Sequence, residues 1–243
     1  MTRLDQLLVE RGFYRTRSRA RDAVLRGRVT VEGRVVAKPA MSVPTDAVIW
    51  IADEAQHYVS RAALKLIHGL DHFGVSPQGL AALDVGASTG GFTQVLLERG
   101  ARHVTAIDVG HGQMAPVLAG DPRVTVLEGL NARDLTREHM PEPPGIVTAD
   151  VSFISLKLAL PPALALAAPH ALLVALVKPQ FEAGRDHLSK DGVVRDPAVQ
   201  DAVCRDIAGW LETAMGWQVI GTTQSPVAGG SGNREFLVAA RKP

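Results

Sequence analysis

From about residue 60 onward the chain alternates short apolar runs with stretches of helical periodicity, a pattern that folds as a mostly parallel sheet with helices on both faces. Leu80-Ala81-Ala82-Leu83-Asp84-Val85 reads as a buried strand and Gly86-Ala87-Ser88-Thr89-Gly90-Gly91 as the turn behind it. Phe92 to Leu97 reads as a helix, and Val104 to Ile107, running into Asp108, as the next strand. Ile146 to Ala149, Leu172 to Lys178, Gln218 to Thr222 and Glu235 to Ala240 supply further strands. Ligands in such sheets collect at the carboxyl ends of strands, near the point where strand order reverses. The glycine-rich turn is therefore the place to expect one.

Glycine there lets the backbone approach a ligand where a Cβ would collide. Asp108 lies 22 residues beyond Gly86, at the end of the neighbouring strand, where a carboxylate can accept both hydroxyls of a ribose. A dinucleotide asks for G-x-G-x-x-G, whose middle glycine makes room for pyrophosphate; here Ser88 stands in that place. S-adenosylmethionine carries no phosphate, and Asp84 at the strand end suits its ammonium. Loop chemistry thus favours S-adenosylmethionine over NAD.

Charge separates the chain into unlike parts. Residues 1–40 hold 10 Lys and Arg against 4 Asp and Glu, and the remainder holds 16 against 21. A basic head on an acidic body points to a polyanion partner. Arg15, Arg17, Arg19, Arg21, Arg26 and Arg28 crowd fourteen positions, opposed by Asp22 alone, and guanidinium forks suit RNA phosphates. Around them, Thr2-Arg3-Leu4-Asp5 has the form of a capping box, Thr16 can cap a second helix, and Val29–Val31 and Val35-Val36 flank a hairpin turn at Glu32-Gly33.

Other features exclude classes of function. One cysteine, Cys204, allows no disulfide framework and fits a reducing cytosol. No secretory signal opens the chain. Leu158 to Val177 runs 20 residues without a charge, but Pro161, Pro162 and Pro169 cut it, so a buried helix feeding a buried strand is expected rather than a membrane span. Eight histidines show no metal-ligand spacing; His68 and His72 read as a surface pair, and no metal is expected. Trp50, Trp210 and Trp217 read as packing residues.

Methyl transfer to a weakly acidic hydroxyl needs in-line geometry and a group to take the proton. Asp150 ends one apolar strand, Lys178 another, Glu235 opens the last, and Lys65 lies on the helix before the first. An ammonium closing a seven-residue apolar run is desolvated; a second cation nearby would lower its pKa further from ~10.4 toward the useful range. Lys65 can be that cation, with Asp150 and Glu235 holding both ammonium groups. Phe153 and Phe181 follow two of these strand ends and either stack on a splayed base or pack in the core.

Arg3-Leu4-Asp5, Arg17-x-x-Ala20 and Gly27-x-Val29-x-Val31-x-Gly33 resemble the alpha-L RNA-binding module first known from ribosomal protein S-four. Asp84 to Thr93, together with the four charged residues, resembles the FtsJ-type ribose 2′-O-methyltransferases. Joined, the two are similar to the TlyA family of rRNA methyltransferases, often labelled haemolysins, as are Tyr58-Val59-Ser60-Arg61, Ala149 to Ser155, Lys178-Pro179-Gln180-Phe181-Glu182 and Gly192 to Asp196. The resemblance implies an α/β, Rossmann-like methyltransferase domain over 58–243, its seven-stranded, mostly parallel sheet ending in an antiparallel strand, after a small α+β RNA-binding domain over 1–57. It also implies 2′-O-methylation of a cytidine in ribosomal RNA, in the cytoplasm, with Lys65, Asp150, Lys178 and Glu235 as a catalytic tetrad. The cofactor would lie against Gly86, Ala87, Ser88, Thr89, Gly90 and Gly91, with Asp108 and the Asn131-Ala132-Arg133 turn; Arg3 would join the RNA-binding arginines. Short termini match the subtype that modifies 23S rRNA rather than both 23S and 16S. Other classes stay open: a pore-forming haemolysin, an NAD-linked oxidoreductase, and a non-catalytic ribosome-assembly factor.

Overall fold

The computed structural model describes residues 1–229 and 232–243 and resolves into two compact units, Met1–His57 and Tyr58–Pro243. In the first, β1 (Thr2–Arg3) leads into α1 (Leu4–Glu10), followed by α2 (Arg17–Leu25), β2 (Val29–Val31), β3 (Arg34–Val35), β4 (Ser42–Val43) and β5 (Ile49–Ile51). Leu4, Leu7 and Leu8 form one stripe of α1 and pack on Ala20, Ala23 and Val24 of α2, which closes a small core over Val29 and Val31. Thr16 caps α2 by accepting from the Arg19 amide at 3.3 Å. The capping box expected at Thr2 does not form. Thr2 pairs with Val43 in a strand, so Arg3 is the N-cap without a side-chain bond, and Asp5 receives Arg3 and Arg17 instead. The hairpin turns through positive φ at Glu32 and Gly33, the left-handed pair a two-residue turn demands.

In the second unit α3 (Ala62–Phe73) precedes β6 (Ala81–Val85), α4 (Gly91–Glu98), β7 (His103–Asp108), α5 (Pro116–Ala119), β8 (Val124–Glu128) and β9 (Ile146–Ala149). Then come α6 (Leu156–Ala159), α7 (Pro161–Leu166), β10 (Leu172–Val177), α8 (Pro179–Glu182), α9 (Pro197–Thr213), β11 (Gln218–Gln224) and β12 (Phe236–Arg241). The sheet runs β11-β12-β10-β9-β6-β7-β8. β12 is antiparallel to both neighbours and every other adjacent pair is parallel. Separate apolar layers cover the two faces, one built on α7 and α9 and the other on α3 and α4. β8 is the strand that the apolar pattern does not reveal. It sits at the sheet edge with all five residues half-buried, so no buried run marks it.

Prolines break Leu158–Val177 as expected: Pro161 and Pro162 start α7, and β10 takes the buried remainder. Among the described residues no helix is long and apolar enough to cross a membrane. Trp217 is buried, but Trp50 is 70% exposed and packs against no core, which corrects its reading as a packing residue. The chain runs from β6 outward to β8 and returns to β9, so strand order reverses between β6 and β9. That crevice positions the site.

Candidate functional site

Gly86 leaves β6 at φ +81, and a Cβ placed on it would come within 2.7 Å of the Asp150 carbonyl oxygen. The loops after β6 and β9 can meet this closely only because residue 86 has no side chain. Between these loops and the end of β7 opens a cavity of about 470 Å³, lined by Gly86, Ser88, Asp108, Asn131, Ala132 and Asp150 and by apolar walls from Ile107, Leu130 and Val151. A smaller cavity of about 180 Å³ shares Gly86, Ser88 and Asp150 with it and adds Ala87, Thr89, Gly91 and Lys178. A concave, largely apolar hollow with a few convergent polar groups is what a nucleoside-sized ligand requires. Asp108 is held in the cavity wall, its Oδ2 accepting from the Ser88 amide and its Oδ1 from the Gly110 amide, each at 2.8 Å.

Three residues expected at the cofactor lie outside these walls. Gly90, φ +93, instead gives space to Met114 and Leu118. Arg133 donates from its backbone and Nε to Asn131 Oδ1, at 3.1 and 3.2 Å, and so orients the residue that does line the cavity. Asp84 is fully buried; its two oxygens accept from Thr93 Oγ1 at 2.7 Å and Thr148 Oγ1 at 3.1 Å, tying α4 and β9 to β6. It does not face a ligand ammonium, which corrects the expectation.

Burial pushes the Asp84 carboxyl up to about 7 against the pull of those hydrogen bonds. Folding therefore favours its protonated form, so this residue's contribution to stability is full below pH ~4 and falls as pH rises to about 7. Asp84→Asn should remove that fall, flattening stability by on the order of 2–4 kcal/mol across the window in urea titrations at stepped pH. An unchanged pH profile would show that Asp84 stays ionised in the folded protein.

The four charged residues form two ion pairs near the strand ends. Lys178, buried, stands 2.6 Å from Asp150 Oδ1 and donates to Ser152 Oγ at 2.8 Å. Lys65, one turn into α3, meets Glu235 Oε2 at 2.5 Å in a pair that is also buried. Val177 pairs with Phe236, so Lys178 and Glu235 each adjoin the last paired residue of their neighbouring strands, β10 and β12. Lys178 and Asp150 face the cavities, whereas Lys65 and Glu235 line neither. Ser152, Ser60 and Gln113 were not singled out from sequence. Ser152 and Ser60 sit in quoted motifs, but a serine beside a strand or helix end carries no signal of its own, and neither does Gln113.

Phe153 is 92% exposed at the cavity mouth, with φ +64 and its ring 5.1 Å from that of Phe181. Of the two readings open for it, core packing is overturned. Among the described residues no group of three or more His, Cys, Asp or Glu is placed to hold a metal ion.

The arginines of the first unit divide into two sets. Arg26 makes a forked pair to buried Asp53, at 3.0 and 3.1 Å, and also meets Asp22 at 2.8 Å. Arg19 donates to the Ala55 carbonyl at 2.9 Å, and Arg3 and Arg17 converge on Asp5, whose carboxyl Arg3 above all holds down to about 2. Arg15, Arg21 and Arg28 are exposed, without an ion-pair partner among the described residues. The run of like charge is thus part scaffold and part free surface.

Comparison with known proteins follows this division. The FtsJ-like methyltransferase family matches residues 58–242 and the S4 domain family residues 2–49. The 16S/23S rRNA (cytidine-2′-O)-methyltransferase TlyA of Mycobacterium tuberculosis is 44% identical over 240 residues, 98% of this chain and 89% of its own. The 23S rRNA (cytidine-2′-O)-methyltransferase TlyA of Campylobacter jejuni is 37% identical over 183 residues, 74% of this chain and 69% of its own. A solved structure named as a hemolysin, from Streptococcus thermophilus, superposes with a TM-score of 0.79 at 37% identity, covering 99% of this chain and 88% of that one. The chain belongs to the FtsJ-like methyltransferases, and within them to the TlyA rRNA methyltransferases that carry an S4 domain.

Proposed function

We propose that this protein is an S-adenosylmethionine-dependent ribose 2′-O-methyltransferase acting on a cytidine of ribosomal RNA in the cytoplasm, with residues 1–57 gripping the RNA and 58–243 carrying the chemistry. The observation that carries the reading is Lys178, buried and fixed by Asp150 and Ser152 in the wall of a cavity whose floor is the Gly86–Gly91 loop. A bound S-adenosylmethionine supplies an electrophilic sulfonium methyl. Gly86 and Ser88 would let the ligand lie against the backbone, Asp108 would accept its ribose hydroxyls, and Asn131 and Ala132 would close the adenosine end.

Once its own ammonium proton has been released, Lys178 Nζ would take the proton of the target 2′-hydroxyl as that oxygen gains the methyl and the sulfur leaves with the bonding pair, and Asp150, 2.6 Å away, would balance the charge the amine regains. Lys65 and Glu235 act as a buried pair that fixes the strand ends around Lys178. Phe153, backed by Phe181, offers an aromatic face on which a base splayed out of its stack can lie. Both named relatives act on 23S rRNA, and a 23S cytidine is therefore the expected target.

The test is transfer of tritiated methyl from S-adenosylmethionine to large subunits, small subunits and naked rRNA, followed by mapping of the labelled nucleotide. The expected result is label on the 2′-oxygen of a 23S cytidine. Label on a base, or RNA binding without methyl transfer to any of the three substrates, would replace this reading, the latter by a ribosome-assembly role.

A further inference from the structure

The segment Asp150–Leu156, running from β9 into α6, lines the site with Asp150 to Ile154, of which Asp150, Ser152 and Phe153 bear the polar and aromatic groups. Phe153 holds a left-handed backbone, φ +64, that a residue with a side chain adopts only under local compensation. The compensation comes from one neighbouring stretch, Lys178–Glu182, where β10 passes into α8. Lys178 meets Asp150 and Ser152 at one end, and the Phe181 ring lies against Phe153 in the middle. At the other end, Glu182 Oε2 accepts from Ser155 Oγ at 2.5 Å and Glu182 Oε1 from the Leu156 amide at 2.8 Å. Glu182 is half-buried, and partial burial pushes its carboxyl above the usual range against the pull of these two hydrogen bonds.

We propose that Glu182 is a positioning residue for methyl transfer: its carboxylate anchors the far end of the Asp150–Leu156 segment and thereby holds Ser152 and Phe153 where Lys178 and the target ribose need them. The inference rests on the functional reading above but makes a structural claim of its own. Removing the acceptor leaves the Lys178 end tethered and frees the Phe153 end. Substrate and cofactor still bind, while the reacting geometry loosens, and a misplacement of about 1 Å costs on the order of 10²-fold in rate. Leu156 is buried and Lys157 pairs with Asp206 at 2.7 Å, so α6 itself remains docked on α9.

The experiment compares Glu182→Ala and Glu182→Gln with wild type in the full-length protein, at a temperature well below the melting point of each. Glu182→Ala should lower kcat about 30–100-fold, with the Kd for S-adenosylmethionine and KM for rRNA moving less than about threefold. Glu182→Gln, which keeps one acceptor, should recover most of kcat. Phe153→Ala added to Glu182→Ala should cost little beyond the larger single loss, because both act through one segment. Amide exchange supplies a readout independent of turnover: the Leu156 amide should exchange at least about tenfold faster in Glu182→Ala. Retained kcat, an equal loss of cofactor affinity, or full additivity with Phe153→Ala overturns the proposal. If the wild type transfers no methyl to rRNA the functional reading fails, while unchanged Leu156 exchange in Glu182→Ala defeats the anchor itself.

Discussion

Lys178→Ala should lower kcat for methyl transfer by on the order of 10²–10⁴, with the Kd for S-adenosylmethionine within about threefold of wild type. The range is that of losing a positioned proton acceptor, and the selectivity follows from geometry. Of the two cavities Lys178 lines the smaller, beside Asp150 and Ser152, whereas the walls of the larger one include Gly86, Asp108, Asn131 and Ala132. The variant is also a cleaner probe than its neighbour. Lys65 is paired with Glu235, whose side chain is almost wholly enclosed, so deleting Lys65 leaves a buried charge unmatched and costs about 3–5 kcal/mol of stability before any chemistry is measured. The Asp150 side chain is 17% exposed against 3% for Glu235, so water reaches more of it when its lysine is removed, although Oδ1 itself is buried. Isothermal titration with cofactor and single-turnover methyl transfer separate the two quantities. A kcat within tenfold of wild type would remove Lys178 as the proton acceptor.

The site's principal charges stand out in the sequence because of where they fall. In a parallel sheet buried on both faces, strands appear as unbroken apolar runs, and a charge that ends one marks the rim where ligands bind. Asp108, Asp150 and Lys178 all announce themselves this way. What pairs with what does not appear, since it depends on β12 returning between β10 and β11 to bring Glu235 within reach of α3. Asp84 shows the reverse error: it lies inside the apolar run, one residue short of its end, and that single step turns a rim carboxylate into a buried link between Thr93 and Thr148. β8 escaped because an edge strand half-exposed along its length has no apolar run to show. Trp50 fails for a related reason. Hydrophobicity predicts burial only where a second layer exists, and the three-stranded sheet of β3, β2 and β5 gives Trp50 none.

Replacing Arg15, Arg21 and Arg28 together by Gln should weaken rRNA binding by about two orders of magnitude at 0.1 M salt, with the deficit shrinking toward nothing near 1 M. Each phosphate contact contributes ~0.7–0.9 to the slope of log affinity on log salt, so three lost contacts should flatten it by ~2–3. These three are chosen because they are exposed and without an ion-pair partner among the described residues, whereas the other arginines of the cluster hold the unit together. Arg26→Gln makes the contrast. It removes the ion-pair partner of Asp53, whose side chain is 2% exposed and is left with the Tyr14 hydroxyl and the Ala55 amide as donors, and should lower the melting temperature while leaving the salt slope of the folded fraction unchanged. At saturating RNA the triple variant should keep kcat close to wild type, since no reacting group is touched. The decisive measurement is binding across a salt series. A parallel slope in the triple variant would move the RNA to other cations of the unit, among them Arg3 and Arg17, each about half exposed beside Asp5, and the exposed Arg34 and Lys38.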